Sequence, residues 1–508
     1  MISEGAAPIA TFGIVDGATL GPLLPKARMI VLATVLMMTV FVETAGSTAP
    51  TLLIPLMARD LDIPEIETQW VSSAYIIASS CGKLFSGRMA DIWGRKRMFL
   101  IGLAIYAVFA IITGAVKNIV VISVTRALSG IGNSIAIPAG FGLIGATIKQ
   151  EPARTIVFSM FGLGSPVGSA VGNFIGGAMG SIGPGAWSYL FFLLAGLSVI
   201  TFVAAIVVIP SDVRVSTDQD TRIDWVGGAL VTSAMCLFTF SLADSGLAPK
   251  GWRTPYVPAL LVTSLLVLLA FVLWTPASTP PILKMSLLSR KSGLISVVCG
   301  NCFLVSISVM GWVYTSTIFY QNYKGLTTLQ NAIAILPSTI VGALAAVSHH
   351  CVHPLGRRLD ILVVPAADRA DVGDVPRAPG IGTVCSILYA TWPVGLTYWA
   401  MEFPGQVLLP WGIDLTFVLG NILISNLVEA EDQSVAGALF QTSGALGSAL
   451  GICITALIVG QVGQQAGDVL RGCRAGFWFG AGASLVVSAS AYIGFRKVGL
   501  AKDVGKIR

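Results

Sequence analysis

Charged residues are scarce in this chain: of 508 residues, 11% are Asp, Glu, Lys or Arg and 55% are hydrophobic, whereas a soluble globular chain carries about 25% charged residues. Thirty-one basic and 25 acidic side chains cannot clothe the roughly three domains of ~150 residues that this length would otherwise suggest. That excludes a water-soluble protein and leaves lipid as the main solvent. The net charge of +6 is spread over short connections with no basic stripe, which argues against a nucleic-acid partner. No GxxxxGK[ST] occurs, so nucleotide-driven work is not expected, and no Asn-x-Ser/Thr marks a loop as outward-facing. Residues 1–26 lack the succession of basic start, apolar core and small-residue cleavage site, so the first membrane span is expected to direct insertion itself. Of the eight cysteines, Cys81, Cys236, Cys299, Cys302, Cys385 and Cys453 fall inside apolar runs and read as small apolar residues. Cys299 and Cys302 form a CxxC on an apolar helix, without the strand pattern of a redox fold.

What the chain has in abundance is apolar runs of about 20 residues, the length that carries a helix across ~30 Å of hydrocarbon with its backbone hydrogen bonds satisfied internally. Fourteen are expected, opening with 28–50 and 68–88 and closing with 380–399, 404–428, 433–462 and 475–495. The eleventh, 380–399, is the weakest because Pro393 interrupts it. The fold class is therefore an all-α polytopic membrane protein. Basic residues favour the connections on the side of the termini: Arg88, Arg95, Lys96 and Arg97, then Lys284, Arg290 and Lys291, then the tail from Arg496 to Arg508. The first loop on the other side carries Asp60, Asp62, Glu65 and Glu67. Both termini are accordingly expected in the cytoplasm.

The densest local pattern runs from Gly87 to Arg97 between two apolar spans. Its glycines permit a tight turn, Asp91 can accept bonds from free N–H groups of the next helix, and the basic cluster anchors the cytoplasmic side. Gly87, Asp91, Gly94, Arg95, Lys96 and Arg97 resemble the conformational signature of the major facilitator superfamily. Trp70-Val71 with Tyr75, Asp224-Trp225-Val226-Gly227, Gly251-Trp252, and Tyr320-Gln321 followed by Gly325 and Pro337 are similar, in order and interval, to the fourteen-span drug:proton antiporter branch. Tyr398-Trp399 and the run Gly412 to Asn421 resemble the fungal aminotriazole-resistance type of exporter. The resemblance implies two six-helix bundles, 28–209 and 294–495, with spans 7 and 8 between them in a linker at 210–293, and tails at 1–27 and 496–508. It also implies a secondary active transporter, not an enzyme, that exports small organic toxins, drugs or secondary metabolites by proton antiport and alternating access. Its partners would be a small-molecule substrate, protons and the lipid bilayer, with no cofactor beyond the proton gradient. A monomer in the plasma membrane is expected, with the vacuolar membrane as the alternative.

Charges inside spans cost roughly 2.5–3.5 kcal/mol on insertion scales and so point to a cavity or a partner. Two acids fall inside the expected spans, Glu43 in the first and Asp414 in the twelfth, and both are candidates for proton or substrate contact. Glu43 occupies the place where the branch often has an aspartate. Arg126, in Arg126-Ala127-Leu128-Ser129-Gly130-Ile131-Gly132, resembles the fourth-span motif associated with proton transfer, with Ser129 in place of the usual glutamine. Since an arginine stays charged, it would tune or pair an acid rather than carry the proton. Snorkelling to the outer face is the competing reading for Arg126. Lys83 reads first as a snorkelling residue, and otherwise as one facing the cavity, against an anionic substrate or Glu43. Gly164, Gly168, Gly172, Gly176 and Gly180 recur every fourth residue with Gly177 adjoining, which lets another helix approach closely. Gly172 to Gly177 is similar to the antiporter motif, with Asn173 in place of its proline, and plain packing is the alternative. Tyr75, Trp312 and Tyr314 are candidate cavity aromatics, whereas Trp70 and Tyr320 near span ends read as interfacial.

His349, His350 and His353 share a short stretch, but the C-terminal end of the tenth span suits histidine without any metal, and none is expected. Eight charges between Arg357 and Arg377 suggest a polar insertion at about 357–379, either a loop or translated intron. An uptake symporter and a nontransporting sensor remain as alternatives.

Overall fold

The computed structural model describes residues 14–15, 18–19, 25–148, 153–210, 222–245, 248, 250–278, 281–351 and 377–495. At 14–15, 18–19, 65–66, 181, 285–286, 289–292, 328, 343, 345–351, 377–381, 412–415, 430 and 494–495 it describes the backbone only. The chain is a bundle of long helices: α1 (Lys26–Leu61), α2 (Trp70–Cys81), α3 (Lys83–Trp93), α4 (Arg95–Ala115), α5 (Ile119–Thr147), α6 (Ala153–Ile182), α7 (Trp187–Val208), α8 (Trp225–Asp244), α9 (Tyr256–Trp274), α10 (Met285–Ile318), α11 (Thr328–Cys351), α12 (Arg377–Ala390), α13 (Tyr398–Leu427), α14 (Gln433–Ala466) and α15 (Val469–Phe495). Beside these, Ile14–Val15 and Ala18–Thr19 form a two-residue antiparallel ladder.

Eleven helices among the described residues are long and apolar enough to cross a membrane. The second expected run is α2 followed by α3, which Gly82 separates. In α11 the apolar part extends over Leu329–Gly342. The eleventh run needs correction: α12 stops at Ala390 after 14 residues, because Pro393 and then Gly395, with φ 91°, turn the chain. Tyr398 and Trp399 open the next helix instead, so α13 begins six residues before the expected 404. Residues 352–376 lie outside the described residues, which takes in most of the expected polar insertion and His353, and the side chains of His349 and His350 lie outside them too.

Local chemistry explains several boundaries. Asn118 accepts from the free N–H groups of Val120 and Val121 at the start of α5, and Asp224 does the same for Gly227 at the start of α8. That carboxylate also receives the indole N–H of Trp274 at 3.1 Å and so ties α8 to α9. Gly94, at φ 106°, makes the sharp turn from α3 into α4, a conformation that other residues rarely adopt.

Helices α1–α7 form a first half and α10–α15 a second half, with α8 and α9 paired beside α2 and α3. At the end where α1 begins and α15 ends, called here the terminal end, Leu32, Met98, Ile148, Ile209, Leu287, Val428 and Ala491 belong to one apolar cluster. Ile200, Val207, Leu266, Leu273 and Ile493 are exposed on the outer faces of α7, α9 and α15. They suit hydrocarbon as their surroundings. The halves meet where α14 lies on α3 and α5, and again where α11 lies on α6.

Candidate functional site

The site is built by helices that approach closely. Along α6, a side chain at Gly168 would sit 2.7 Å from the carbonyl oxygen of Phe41, one at Gly172 2.8 Å from Ala45 Cα, and one at Gly176 2.7 Å from the carbonyl oxygen of Ala49. Gly164 likewise faces Met37 and Val40. The stripe therefore seats α6 on α1, while Gly177 turns toward Leu329 of α11. Asn173 is half-buried beside it, and Pro166 lies inside α6.

Glu43 of α1 and Lys83 of α3 form an ion pair at 2.8 Å. The snorkelling expectation for Lys83 is thereby corrected. Gly82 lies against Ser134 of α5, and Gly87 against Ser434 and Ala438 of α14, so this stretch of α3 faces protein on both sides of the lysine. With no route to lipid or headgroups, its ammonium meets the nearest carboxylate. Tyr75 of α2 donates its hydroxyl to the carbonyl oxygen of Glu43 at 2.9 Å and accepts from Asn133 Nδ2 at 2.5 Å.

Arg126 is fully buried and does not snorkel. Its guanidinium donates to the carbonyl oxygens of Val71 at 2.9 Å and Gly46 at 2.5 Å. It also stacks over the Tyr75 ring at 4.1 Å and lies 5.4 Å from the Phe191 ring. Among the described residues no carboxylate pairs with it; carbonyl dipoles and ring faces accommodate the charge. Ser129 returns its hydroxyl to Thr125 of its own helix. Asp414 falls on α13, but its side chain lies outside the described residues.

Between the halves is a cavity of about 270 Å³. Glu43, Thr44 and Lys83 line it from α1 and α3, Phe161 and Pro166 from α6, and Met310, Phe417, Asn421, Gln441 and Ser448 from the second half. Asn421 Oδ1 is buried without a hydrogen-bond partner. The candidate aromatics lie elsewhere. Tyr75 is buried behind Glu43, and Trp312 packs edge-on to Tyr389 at 5.3 Å. Tyr314 packs with the same aromatic cluster as Trp312. Trp70 stacks on Phe240 at 5.4 Å. Tyr320, read as interfacial, is instead fully buried with its hydroxyl 3.0 Å from that of Tyr389.

The signature residues close the terminal end. Asp91 accepts from Arg95 at 2.7 Å and from the backbone N–H groups of Ser434 at 3.2 Å and Val435 at 3.1 Å. The helix whose free N–H groups it receives is thus α14 in the other half, not the adjacent α4. Arg95 adds a bond to Ser434 Oγ at 3.2 Å. Arg88 and Lys284 converge on Asp432, at 3.7 and 3.0 Å. Lys96 donates to the last carbonyls of α7, Ile206 at 2.9 Å and Ile209 at 2.6 Å, where a helix end favours a cation. Arg97 opens α4 beside it.

Several buried charges escape the sequence reading, among them Asp244, Asp432 and Glu402. Glu402 on α13 is fully buried and pairs with Lys324 at 2.5 Å. A span expected to begin at 404 leaves Glu402 in a loop, and Tyr398-Trp399 just before it is the signal that moves the boundary.

The Major Facilitator Superfamily model matches residues 36–367. The chain is 27% identical to a low affinity ammonium transporter of Saccharomyces cerevisiae, with 82% of this chain and 79% of that protein covered. It is 25% identical to the efflux pump terJ of Aspergillus terreus, over 88% and 84%. It is 24% identical to the aminotriazole resistance protein of Saccharomyces cerevisiae, over 88% and 80%. The fold is similar to the crystal structure of the human organic anion transporter MFSD10 (TETRAN), with a TM-score of 0.62 and 15% identity over 92% of this chain and all of that one.

Proposed function

The chain belongs to the major facilitator superfamily, and from that premise we propose that it exports small amphipathic organic molecules in exchange for protons, with Glu43 taking proton and cargo in turn. It is a multi-pass integral membrane transporter and not an enzyme. The observation that carries the finer reading is the Glu43–Lys83 pair at the wall of the cavity between the halves. Protonation of Glu43 frees Lys83 and removes the anion. Loss of that proton restores the pair and changes the charge that the cargo meets. Arg126 keeps its charge throughout and fixes Tyr75, and through it the backbone at Glu43.

Alternating access then requires the two bundles, spans 1–6 and 9–14, to rock about the cavity. The Asp91 contacts to α14 are what must break at the terminal end, which we place in the cytoplasm of a monomer in the plasma membrane. At about 270 Å³ the cavity falls just below the ~300–1,000 Å³ of ordinary ligand pockets, which supports a small cargo. The driving force suffices. One proton crossing ~100 mV gains about 2.3 kcal/mol and one pH unit adds about 1.4 kcal/mol, together enough for a gradient of roughly a few hundredfold.

The relatives named for efflux and for aminotriazole resistance support export. The relative named for ammonium transport favours a second reading, proton-coupled movement of a small cation. Cellular accumulation of labelled toxic organics and of ammonium, in a host stripped of its own exporters, separates the two. Accumulation of organics lowered by the protein, and restored by a protonophore or by Glu43→Gln, is the expected result. Higher accumulation would reverse the direction, and efflux indifferent to the protonophore would end the antiport reading.

A further inference from the structure

The cavity mechanism leaves Glu402, a buried acid of the second half, unused. One Glu402 oxygen receives the ammonium of Lys324, while the other, Oε2, is buried with no donor at all. Gln406 follows one turn later on α13, where residues i and i+4 share a face. Its amide nitrogen donates to Tyr389 at 3.0 Å, and its Oε1 is likewise buried without a donor. Tyr389 cannot supply either atom, because its own proton goes to the carbonyl oxygen of Glu402 at 3.1 Å. Two acceptors on residues one helical turn apart thus lack the same thing, and an unsatisfied buried polar atom costs about 1–3 kcal/mol.

We propose that Glu402 is a second proton-binding site of this protein, with Lys324 as its displaceable counter-ion. A proton arriving from water bonds to Oε2, and the new O–H donates to Gln406 Oε1, so one proton satisfies both orphaned atoms. No carbon bond changes. Lys324 remains an ammonium and loses its carboxylate partner. It has somewhere to go: 21% of its side chain is exposed, against none of Glu402. The rings of Phe319 at 5.2 Å, Tyr320 at 5.7 Å and Trp392 at 5.0 Å hold the cation meanwhile.

The other titratable or charged groups around Glu402 are Tyr320 beside Lys324, Tyr389 and Cys385 on α12, Tyr398 on its own helix, and Arg474 of α15, which bonds the Trp392 carbonyl at 2.8 Å. Among the described residues, Lys324 and none of these others lies within ion-pair distance of Glu402. The use of this proton in transport rests on the antiport reading above, whereas its binding does not.

The test is infrared difference spectroscopy of the full chain in lipid vesicles across a pH titration, which needs no substrate. A carboxylic acid C=O band that disappears in Glu402→Gln, persists in Glu43→Gln and returns shifted in Glu402→Asp is expected. Gln406→Leu should move that band by removing its hydrogen-bond partner, and this second variant decides the matter if Glu402→Gln does not fold. Identical difference spectra for the wild type and Glu402→Gln, or a band unmoved by Gln406→Leu, overturn the proposal. A Glu402 band in a protein without protonophore-sensitive efflux supports the site and sinks the coupling reading instead.

Discussion

Each half of the molecule seats a glutamate against a lysine and holds the glutamate's backbone carbonyl with a tyrosine hydroxyl, but the two halves expose opposite partners. Tyr75 donates to Glu43 and accepts from Asn133 in the first half; Tyr389 donates to Glu402 and accepts from Gln406 in the second. In the first pair the acid is 17% exposed and Lys83 7%. In the second the acid is sealed and Lys324 is 21% exposed. The same set of side chains therefore offers a carboxylate to the central cavity in one place and an ammonium to the opposite end of the bundle in the other. Among the described residues, the first half alone stacks a permanent cation, Arg126, on the tyrosine that holds its glutamate. What differs is not the chemistry but which partner is the more exposed, although Lys83 also lines the cavity.

The strongest way to break this comparison is Arg126→Leu. It strips donors from the carbonyls of Gly46 and Val71, at about 1–3 kcal/mol for each oxygen left unpaired. A large fall in thermal stability of the detergent-solubilised protein is expected, together with loss of transport. A variant that unfolds at the wild-type temperature would mean that the arginine does not fix the first half, and the asymmetry would lose its basis. Next in size is Gly87→Leu. Its Cβ would meet Ala438 Cβ and the Ser434 carbonyl at 2.8 Å, an overpacking that typically costs about 1–3 kcal/mol. It should wedge the terminal end open, seen as faster maleimide labelling of a cysteine placed at Val435. Unchanged labelling would show that the halves are not held there. The smallest effects sharpen the parallel: Tyr75→Phe and Tyr389→Phe each remove one hydroxyl, and each should lower stability by about 1 kcal/mol. Transport should fall more for Tyr75→Phe, since only that tyrosine supports the cavity acid, and a larger transport loss in Tyr389→Phe would invert the assignment.

Much of the architecture was legible because it follows from local chemistry. The four-residue period of Gly164 to Gly180 announces a close-packed face, and α1 does pack on it. Asp91 reads as an acceptor for free helix N–H groups and performs that role, but its target lies 343 residues away at the start of α14. Spacing reveals the ability to cap a helix and says nothing about which helix arrives. Lys83 takes the second of its two sequence readings, facing the cavity against Glu43, because snorkelling depends on what surrounds a helix face and a single sequence does not state it. Trp312 and Tyr320 were recognised as aromatic, yet both are consumed by a cluster around Tyr389 and Phe477.

By itself, then, the sequence determined that this chain lives in lipid, that its backbone must run as helices of spanning length, and where glycines and rare charges interrupt them. Burial of polar backbone in hydrocarbon admits little else. Tertiary structure alone decided which charge meets which. Glu43 with Lys83, Glu402 with Lys324 and Asp91 with α14 are pairings across helices. Electrostatic attraction acts over a few ångströms of space whatever the distance along the chain, so only the packed bundle could reveal them.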